Sequence, residues 1–477
     1  MTKDKVIMEL AFEYVLAMSN SKKYNPQAIA NKNFLSRNGK ENVIQMMQKP
    51  VKDFCKCFEM HKVKDFVYKN DYFTPRSLYL ISPLYYTYYT YMVFKLANLY
   101  LKIDSKLDFS KSKMSVFYSG LLDLDSSPED VNRNAKFNKS YQAFQRKREL
   151  YFGFPALKID IQDFFQNIKI NELISKLRKL LGKEQIIEDL NYFFKHCNFD
   201  SLPQLHYSIA SSILSQFYLI EFDIKIQKML ERENLYLIRF VDDMFIVHLD
   251  DTEDVKRNNN LLNEISYYLW ENSLVLNTSK TKILSPEEYR NDYELIETEY
   301  DEIIFSSEKQ IDEKAEEVLR NGDLIFLIKK LCDLEEIAGI DLSEYRNLMN
   351  EHLSIEGEDT TKVLNHIIFS KKWKEIDFFT LMKMVENWRY ILFNPAQFTV
   401  LYILVYRFLE QNKIITDNGM KIKEILNYLF TNEVFTFRDT LVAVSYLFQS
   451  NFKNKDLVRK VEDVNSAYVE YIEKYLD

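Results

Sequence analysis

Leu235-Tyr-Leu-Ile-Arg-Phe-Val-Asp-Asp-Met-Phe-Ile-Val247 decides how this chain folds. Apolar and aromatic residues run up to Asp242-Asp243 and resume directly after them. That pattern predicts two short buried strands joined as a β-hairpin, with the acids at its bend. Two adjacent carboxylates in so apolar a setting are costly to bury unless positive charge neutralises them. A hard divalent cation, Mg²⁺ or Mn²⁺, suits so tight a pair. A solvated Asp-Asp turn is the plain alternative, and a third carboxylate nearby separates the two readings.

Upstream, Pro155-Ala-Leu-Lys-Ile-Asp-Ile161 supplies that carboxylate. Leu157, Ile159 and Ile161 alternate with Lys158 and Asp160, which predicts a half-buried strand with Asp160 near its end. Asp163 is placed to N-cap a helix through Phe164 and Phe165. If the strands share one antiparallel sheet, Asp160 and Asp242-Asp243 make a site for two divalent ions about 3.5–4 Å apart, which suits in-line displacement at phosphorus. One ion would lower the pKa of an attacking hydroxyl and the other would stabilise a pyrophosphate leaving group.

The 477 residues allow one large or two to three ordinary domains. With only 8 Gly and 9 Pro, a turn-dense all-β fold is excluded and long helices are expected. A net charge of −8 argues against broad phosphate neutralisation on duplex DNA, so any nucleic acid is held locally in a cleft. Four cysteines give no disulfide framework in a chain this long, and Cys55, Cys57 and His61 lack a second ligand pair for zinc. The start, MTKDKVIMEL, reads as a helix rather than a signal peptide, so a reducing, cytoplasmic setting is expected. Ser77 to Phe94 is uncharged but crowded with Tyr and contains Pro83. It reads as a buried aromatic helix, not a membrane span.

In order along the chain, residues 1–70 read as helical, with a Lys/Asn-rich loop over 19–40. Thr74 to Tyr86 is a short strand leading into an aromatic helix that ends near Leu101. Arg76 at its mouth is a phosphate clamp or a surface ion pair. Residues 104–150 are polar and end on Arg146-Lys147-Arg148, a solvated helix face or a nucleic-acid contact. Ser201 and Pro203 open a helix with a core stripe of Ile209, Ile213, Phe217 and Ile220. Leu261 to Trp270 is a helix and Leu274 to Leu284 a strand pair. An acidic stretch over 287–317 marks a boundary, and 310–477 shows helix after helix, compatible with an α-solenoid.

The four blocks LKIDIQDFF, LPQ, RFVDD and LVLNTSKT, in that order, resemble palm motifs A to D of reverse transcriptases, and the resemblance spans roughly residues 74–285. It implies an α+β fold: right-hand polymerase fingers over 1–155, a palm over 156–300, and an all-α, HEAT-like helical-repeat domain over 301–477. It implies that Asp160, Asp242 and Asp243 bind two Mg²⁺ or Mn²⁺ ions, with the Ile161 carbonyl as auxiliary ligand. Phe165 falls at the ribose-gate position, which implies deoxynucleotide (dNTP) substrates. Gln204 would contact the incoming nucleotide, Lys280 would sit near the leaving pyrophosphate, and Arg76 resembles the fingers arginine that grips the triphosphate.

The chain departs from the family pattern at Leu205, where glycine usually follows Gln204, and at Phe240-Val241, where Tyr and Ala usually precede the Asp pair. It lacks retron-type signatures and any maturase or endonuclease appendage. It looks most like the bacterial abortive-infection (Abi, AbiK-like) and other unknown-group defence reverse transcriptases. That likeness implies antiphage DNA synthesis primed by a protein hydroxyl without a template, single-stranded DNA attached to the protein, and homo-oligomers. Copying of a bound non-coding RNA and a pseudo-polymerase scaffold are the alternatives. Arg346-Asn-Leu-Met-Asn-Glu-His352 also matches the loose Arg…His signature of HEPN ribonucleases, against the plainer reading of an exposed helix turn.

Overall fold

The hairpin forms as the alternation predicts. A computed structural model describes residues 3–21, 25–67, 76–250, 254–292, 309–353, 360–415 and 455–476. The chain divides into two compact units, Met1–Lys64 with Ser77–Ile296 (and Leu476), and Asp65–Arg76 with Glu297–Tyr475.

In the first unit, a two-stranded ribbon pairs β1 (Lys62–Lys64) antiparallel with β2 (Tyr79–Ile81). The principal sheet holds β3 (Met114–Phe117), β4 (Ala156–Ile159), β5 (Leu235–Phe240), β6 (Asp243–His248) and β7 (Lys282–Leu284), in the order β3-β5-β6-β4-β7. Only the β3–β5 pairing is parallel. The expected strand pair over Leu274 to Leu284 is reduced to β7 and a single bridge of Leu276 to Ile161. A tight turn at Asn277 takes up the residues between.

The tyrosine-rich segment is the helix Pro83–Leu101, buried through most of its length. Buried phenols need partners, and these have them. Tyr85 donates to the Phe58 carbonyl (2.8 Å), Tyr86 to His206 (2.9 Å) and Tyr88 to Lys49 (3.1 Å), while Tyr89 pairs with the Ser211 hydroxyl (3.2 Å). These bonds account for a helix that is aromatic on every side. Among the described residues no helix is long and apolar enough to cross a membrane.

Two expectations fail nearby. Much of the loop expected over 19–40 is the helix Pro26–Asn38, capped by the Asn25 side chain on the Ala28 amide. Its polar residues face inward: Gln27 accepts from the Ile81 amide (2.8 Å) and donates to the Ile81 carbonyl (2.9 Å) and to Asn31 (2.9 Å). A buried amide that does a strand's hydrogen bonding leaves no hydrophobic signature. Second, the helix expected from Ser201 starts at Ile209, capped by Ser208 on the Ser211 amide. Residues 201–205 stay non-helical because the Tyr79 amide donates to the Gln204 carbonyl (3.1 Å) and Leu205 bridges to Tyr79, and a turn at His206-Tyr207 then leads into the helix. The stripe does face the core, with Ile209, Ile213 and Phe217 buried and Ile220 partly so. The helix expected over Leu261 to Trp270 begins earlier, at Val255, capped by Asp254.

The second unit is all-α among its described residues. Asp323–Ala338 packs on Leu342–Leu353, Phe378–Glu386 on Pro395–Gln411, and Lys455–Val464 on Ser466–Tyr475. Residues 65–67 belong to this unit: the Tyr468 hydroxyl donates to Asp65 (3.2 Å), and Phe66 meets the Tyr468 ring edge-on at 4.9 Å. Most of the acidic boundary expected over 287–317 lies outside the described residues. Arg346 is exposed while His352 is buried against Phe326, so the two HEPN-pattern side chains do not converge within the helix.

Candidate active site

β4 and β6 pair in the register Ala156↔Val247 to Ile159↔Met244. One further step sets Asp160, just past β4, beside Asp243 at the start of β6. β5 and β6 close on Phe240↔Asp243, leaving Val241 and Asp242 as a two-residue turn. Val241 has φ +56°, a left-handed conformation that a β-branched side chain rarely adopts. Surrounding contacts hold it there. Its amide donates to the Phe117 carbonyl on β3 (3.0 Å), and Phe240 packs among Phe137, Tyr141 and Phe144. Beneath the hairpin, the fully buried Arg239 grips Asp223 and Gln216 of the helix Ile209–Arg232, with Nη2 at 2.8 Å and 2.9 Å from their oxygens.

The three carboxylates sit in different environments. Asp243 is exposed and Asp242 partly so. Burial, then the neighbouring charges of Asp243 and Asp160, hold the Asp242 carboxyl well above the ordinary carboxylate range, against a lowering pull from Lys280. Asp160 is engaged on both oxygens: Asn277 Nδ2 donates to Oδ1 at 3.0 Å, and Lys280 Nζ stands 3.7 Å from Oδ2. Among the described residues no three His, Cys, Asp or Glu side chains form a closed coordination cluster. The acids occupy neighbouring positions, with Asp160 turned onto Asn277 and Lys280. Mutually repelling carboxylates at the end of an otherwise apolar hairpin fit the chemistry of divalent-ion ligands. The bridge of Ile161 to Leu276 is flanked by bonds from the Asn277 amide to the Asp160 carbonyl and from the Gln162 amide to the Val275 carbonyl, both 2.9 Å. In that pattern the Ile161 carbonyl points to the opposite side, toward the hairpin.

Phe165 stands in the short helix Phe164–Asn167. Asp163 holds the N-cap position at φ +43°, but its side chain makes no capping bond, contrary to expectation. Phe164 is buried, whereas Phe165 turns to line a cleft of about 110 Å³ shared with Tyr79, Phe199 and Gln204. Arg76 is exposed and belongs to the second unit. The basic cluster divides. Arg146 is exposed, but Arg148 is buried, stacked 3.7 Å from the Phe245 ring and bonded to Gln145, Tyr289 and Asp292. Arg148 therefore braces the sheet and cannot serve nucleic acid. Nothing local to LVLNTSKT reveals that Asn277 reaches Asp160.

Residues 139–311 match the family described as reverse transcriptase (RNA-dependent DNA polymerase). The chain carries a reverse transcriptase domain. It is accordingly a nucleotidyltransferase, a DNA polymerase by class. Beyond that domain, residues 315–473 match a domain of unknown function (DUF8609). No curated protein matches the chain. Among solved structures, telomerase from Candida albicans in complex with a fragment of telomeric RNA matches at 11% identity and a TM-score of 0.24, over 90% of this chain and 76% of that one. So distant a likeness carries no weight. The reverse transcriptase domain contains Asp160, Asp242, Asp243, Phe165, Gln204 and Lys280 within its matched residues.

Proposed function

We propose that this protein adds deoxynucleotides to a growing DNA end by two-metal phosphoryl transfer, in the service of antiphage defence. The observation that carries the chemistry is the β4–β6 register, which brings Asp160 beside the Asp242-Asp243 turn. Asp160, Asp242, Asp243 and the Ile161 carbonyl would hold two Mg²⁺ or Mn²⁺ ions. Such ions, when bound, supply an activated attacking hydroxyl and charge stabilisation for the leaving pyrophosphate.

The chain's own residues do the rest. Phe165, at the ribose-gate position, would exclude a ribose 2′-OH and so select dNTPs. Gln204, its backbone pinned by Tyr79, contacts the incoming nucleotide. Lys280 is mostly exposed and only loosely held by Asp160, so it can turn to the pyrophosphate. Arg76 remains a triphosphate contact on the strength of the sequence pattern alone. Synthesis starts from a protein hydroxyl without a template, in a cytoplasmic homo-oligomer whose HEAT-like helical unit carries partner contacts. This last group of properties follows the resemblance to abortive-infection reverse transcriptases.

The test is incubation of purified protein with Mg²⁺ and labelled dNTPs, with and without added primer and template, and mass spectrometry of protein from expressing cells. A nucleotide adduct on the chain supports self-priming. Product sequence that tracks a co-purifying RNA favours templated synthesis instead. No incorporation under any condition, together with an Asp242→Ala/Asp243→Ala variant that still protects cells, leaves a scaffold.

A further inference from the structure

We infer that Asn277 is a positioning residue for the Asp160 carboxylate, with Ser279 fixing which end of the Asn277 amide faces it. The inference rests on the polymerase reading, because it concerns how one metal ligand of that site is aimed.

Residues 277–281 close a turn on themselves. The Lys280 and Thr281 amides donate to the Asn277 carbonyl (3.2 and 3.0 Å), and so does the Thr281 hydroxyl (2.8 Å). The Asn277 amide in turn donates to the Asp160 carbonyl (2.9 Å), so turn and strand end are joined through the backbone. The side chain then reaches the same residue: Asn277 Nδ2 donates to Asp160 Oδ1 at 3.0 Å. The Ser279 hydroxyl donates to Asn277 Oδ1 at 2.8 Å. An amide offers donors at one end and an acceptor at the other. With the oxygen occupied by a donor, the NH₂ end is committed to Asp160.

A carboxylate beyond the last residue of a strand can rotate about its terminal torsion, which is broad. Holding Oδ1 stops that rotation and leaves Oδ2 as the ligand oxygen. That oxygen has Lys280 Nζ at 3.7 Å, on a side chain that is 64% exposed. Lys280 thus offsets negative charge at the site, a role that a bound divalent cation would take over. Hydrogen-bonding partners behind a metal ligand typically govern affinity by about 10–100-fold.

Mn²⁺ binding measured by electron paramagnetic resonance, on wild-type protein and on Asn277→Ala and Ser279→Ala variants, tests this. Asn277→Ala is expected to weaken Mn²⁺ binding and to raise the Mg²⁺ needed for half-maximal incorporation by about 10–100-fold. Rate is recovered at high metal, KM for dNTP at saturating metal is unchanged, and melting in chelator stays near wild type. Ser279→Ala shifts metal affinity the same way by less, and it serves if Asn277→Ala does not fold. Wild-type affinity in both variants overturns the inference while leaving the polymerase reading intact. So does a loss of affinity matched by an equal loss of stability in chelator. Wild-type protein that binds no Mn²⁺ overturns the polymerase reading, and the inference with it.

Discussion

Arg239→Met removes a cation from beneath the Val241-Asp242 turn and strands its partner. Arg239 is 0% exposed and the Asp223 side chain 2%, so water cannot replace what is lost. The guanidinium makes a two-pronged contact with Asp223 and a further bond to Gln216 at 2.9 Å. Breaking a buried pair from one side costs about 3–5 kcal/mol, because the remaining charge stays desolvated. At roughly 2–4 °C per kcal/mol for a unit of this size, melting should fall by roughly 6–20 °C. Replacing both partners by apolar residues of similar volume is often neutral or better. The Arg239→Met/Asp223→Leu double variant should therefore recover most of the loss. Urea unfolding followed by circular dichroism measures both, and nucleotide incorporation should follow stability, since Arg239 lies three residues before Asp242, on the strand that leads into its turn. If Arg239→Met costs under about 1 kcal/mol, or the double variant is worse than either single one, the strand–helix clamp does not hold the hairpin as described.

Three further outcomes are expected. Asp242 is held above the ordinary carboxylate range, so the metal-free fold binds a proton that the unfolded chain releases. Stability in chelator should fall as pH climbs from about 4 toward the raised value, and Asp242→Asn should flatten that slope in thermal melts while abolishing incorporation. Phe165→Ala should shift the ratio of ribo- to deoxynucleotide incorporation by on the order of 10²-fold, read with each labelled triphosphate in turn. Gln27→Ala deletes two bonds to the Ile81 backbone and should cost about 1–3 kcal/mol in urea unfolding, without altering KM for dNTP.

What the sequence shows and what it conceals divide along the range of the interactions involved. β4, β5 and β6 are legible because their signals are local: alternation around β4, and near-continuous apolar runs in β5 and β6. β3 is not, because Met114–Phe117 lies in a Lys- and Ser-rich segment and owes its extension to parallel pairing with Leu237 to Phe240, more than a hundred residues on. The helix Pro26–Asn38 hides for a related reason, since its buried face presents Gln27 and Asn31 where a stripe of Leu or Ile would have declared it. Ser201 carries a good capping side chain, yet Ser208 is used, since contacts from Tyr79 to Gln204 and Leu205 hold that stretch out of the helix. Within the site, the order Asp160, Phe165, Gln204, Asp242, Lys280 can be read from motif spacing. The grip of Asn277 on Asp160 spans 117 positions and leaves no periodic trace. Arg148 shows the opposite error, a charge that looks solvated in sequence and is sealed under Phe245 and Tyr289.

The bond from Tyr468 to Asp65 links residues 403 positions apart. At ribosomal speeds of ~5–20 residues per second, on the order of 20–80 s pass between the making of the two. The helical unit is therefore finished only late in translation, while the sheet and its acids are already made. A nascent chain with a formed sheet but no Tyr468 is a species that every round of synthesis must pass through, and the interval gives a chaperone or a protease time to find it.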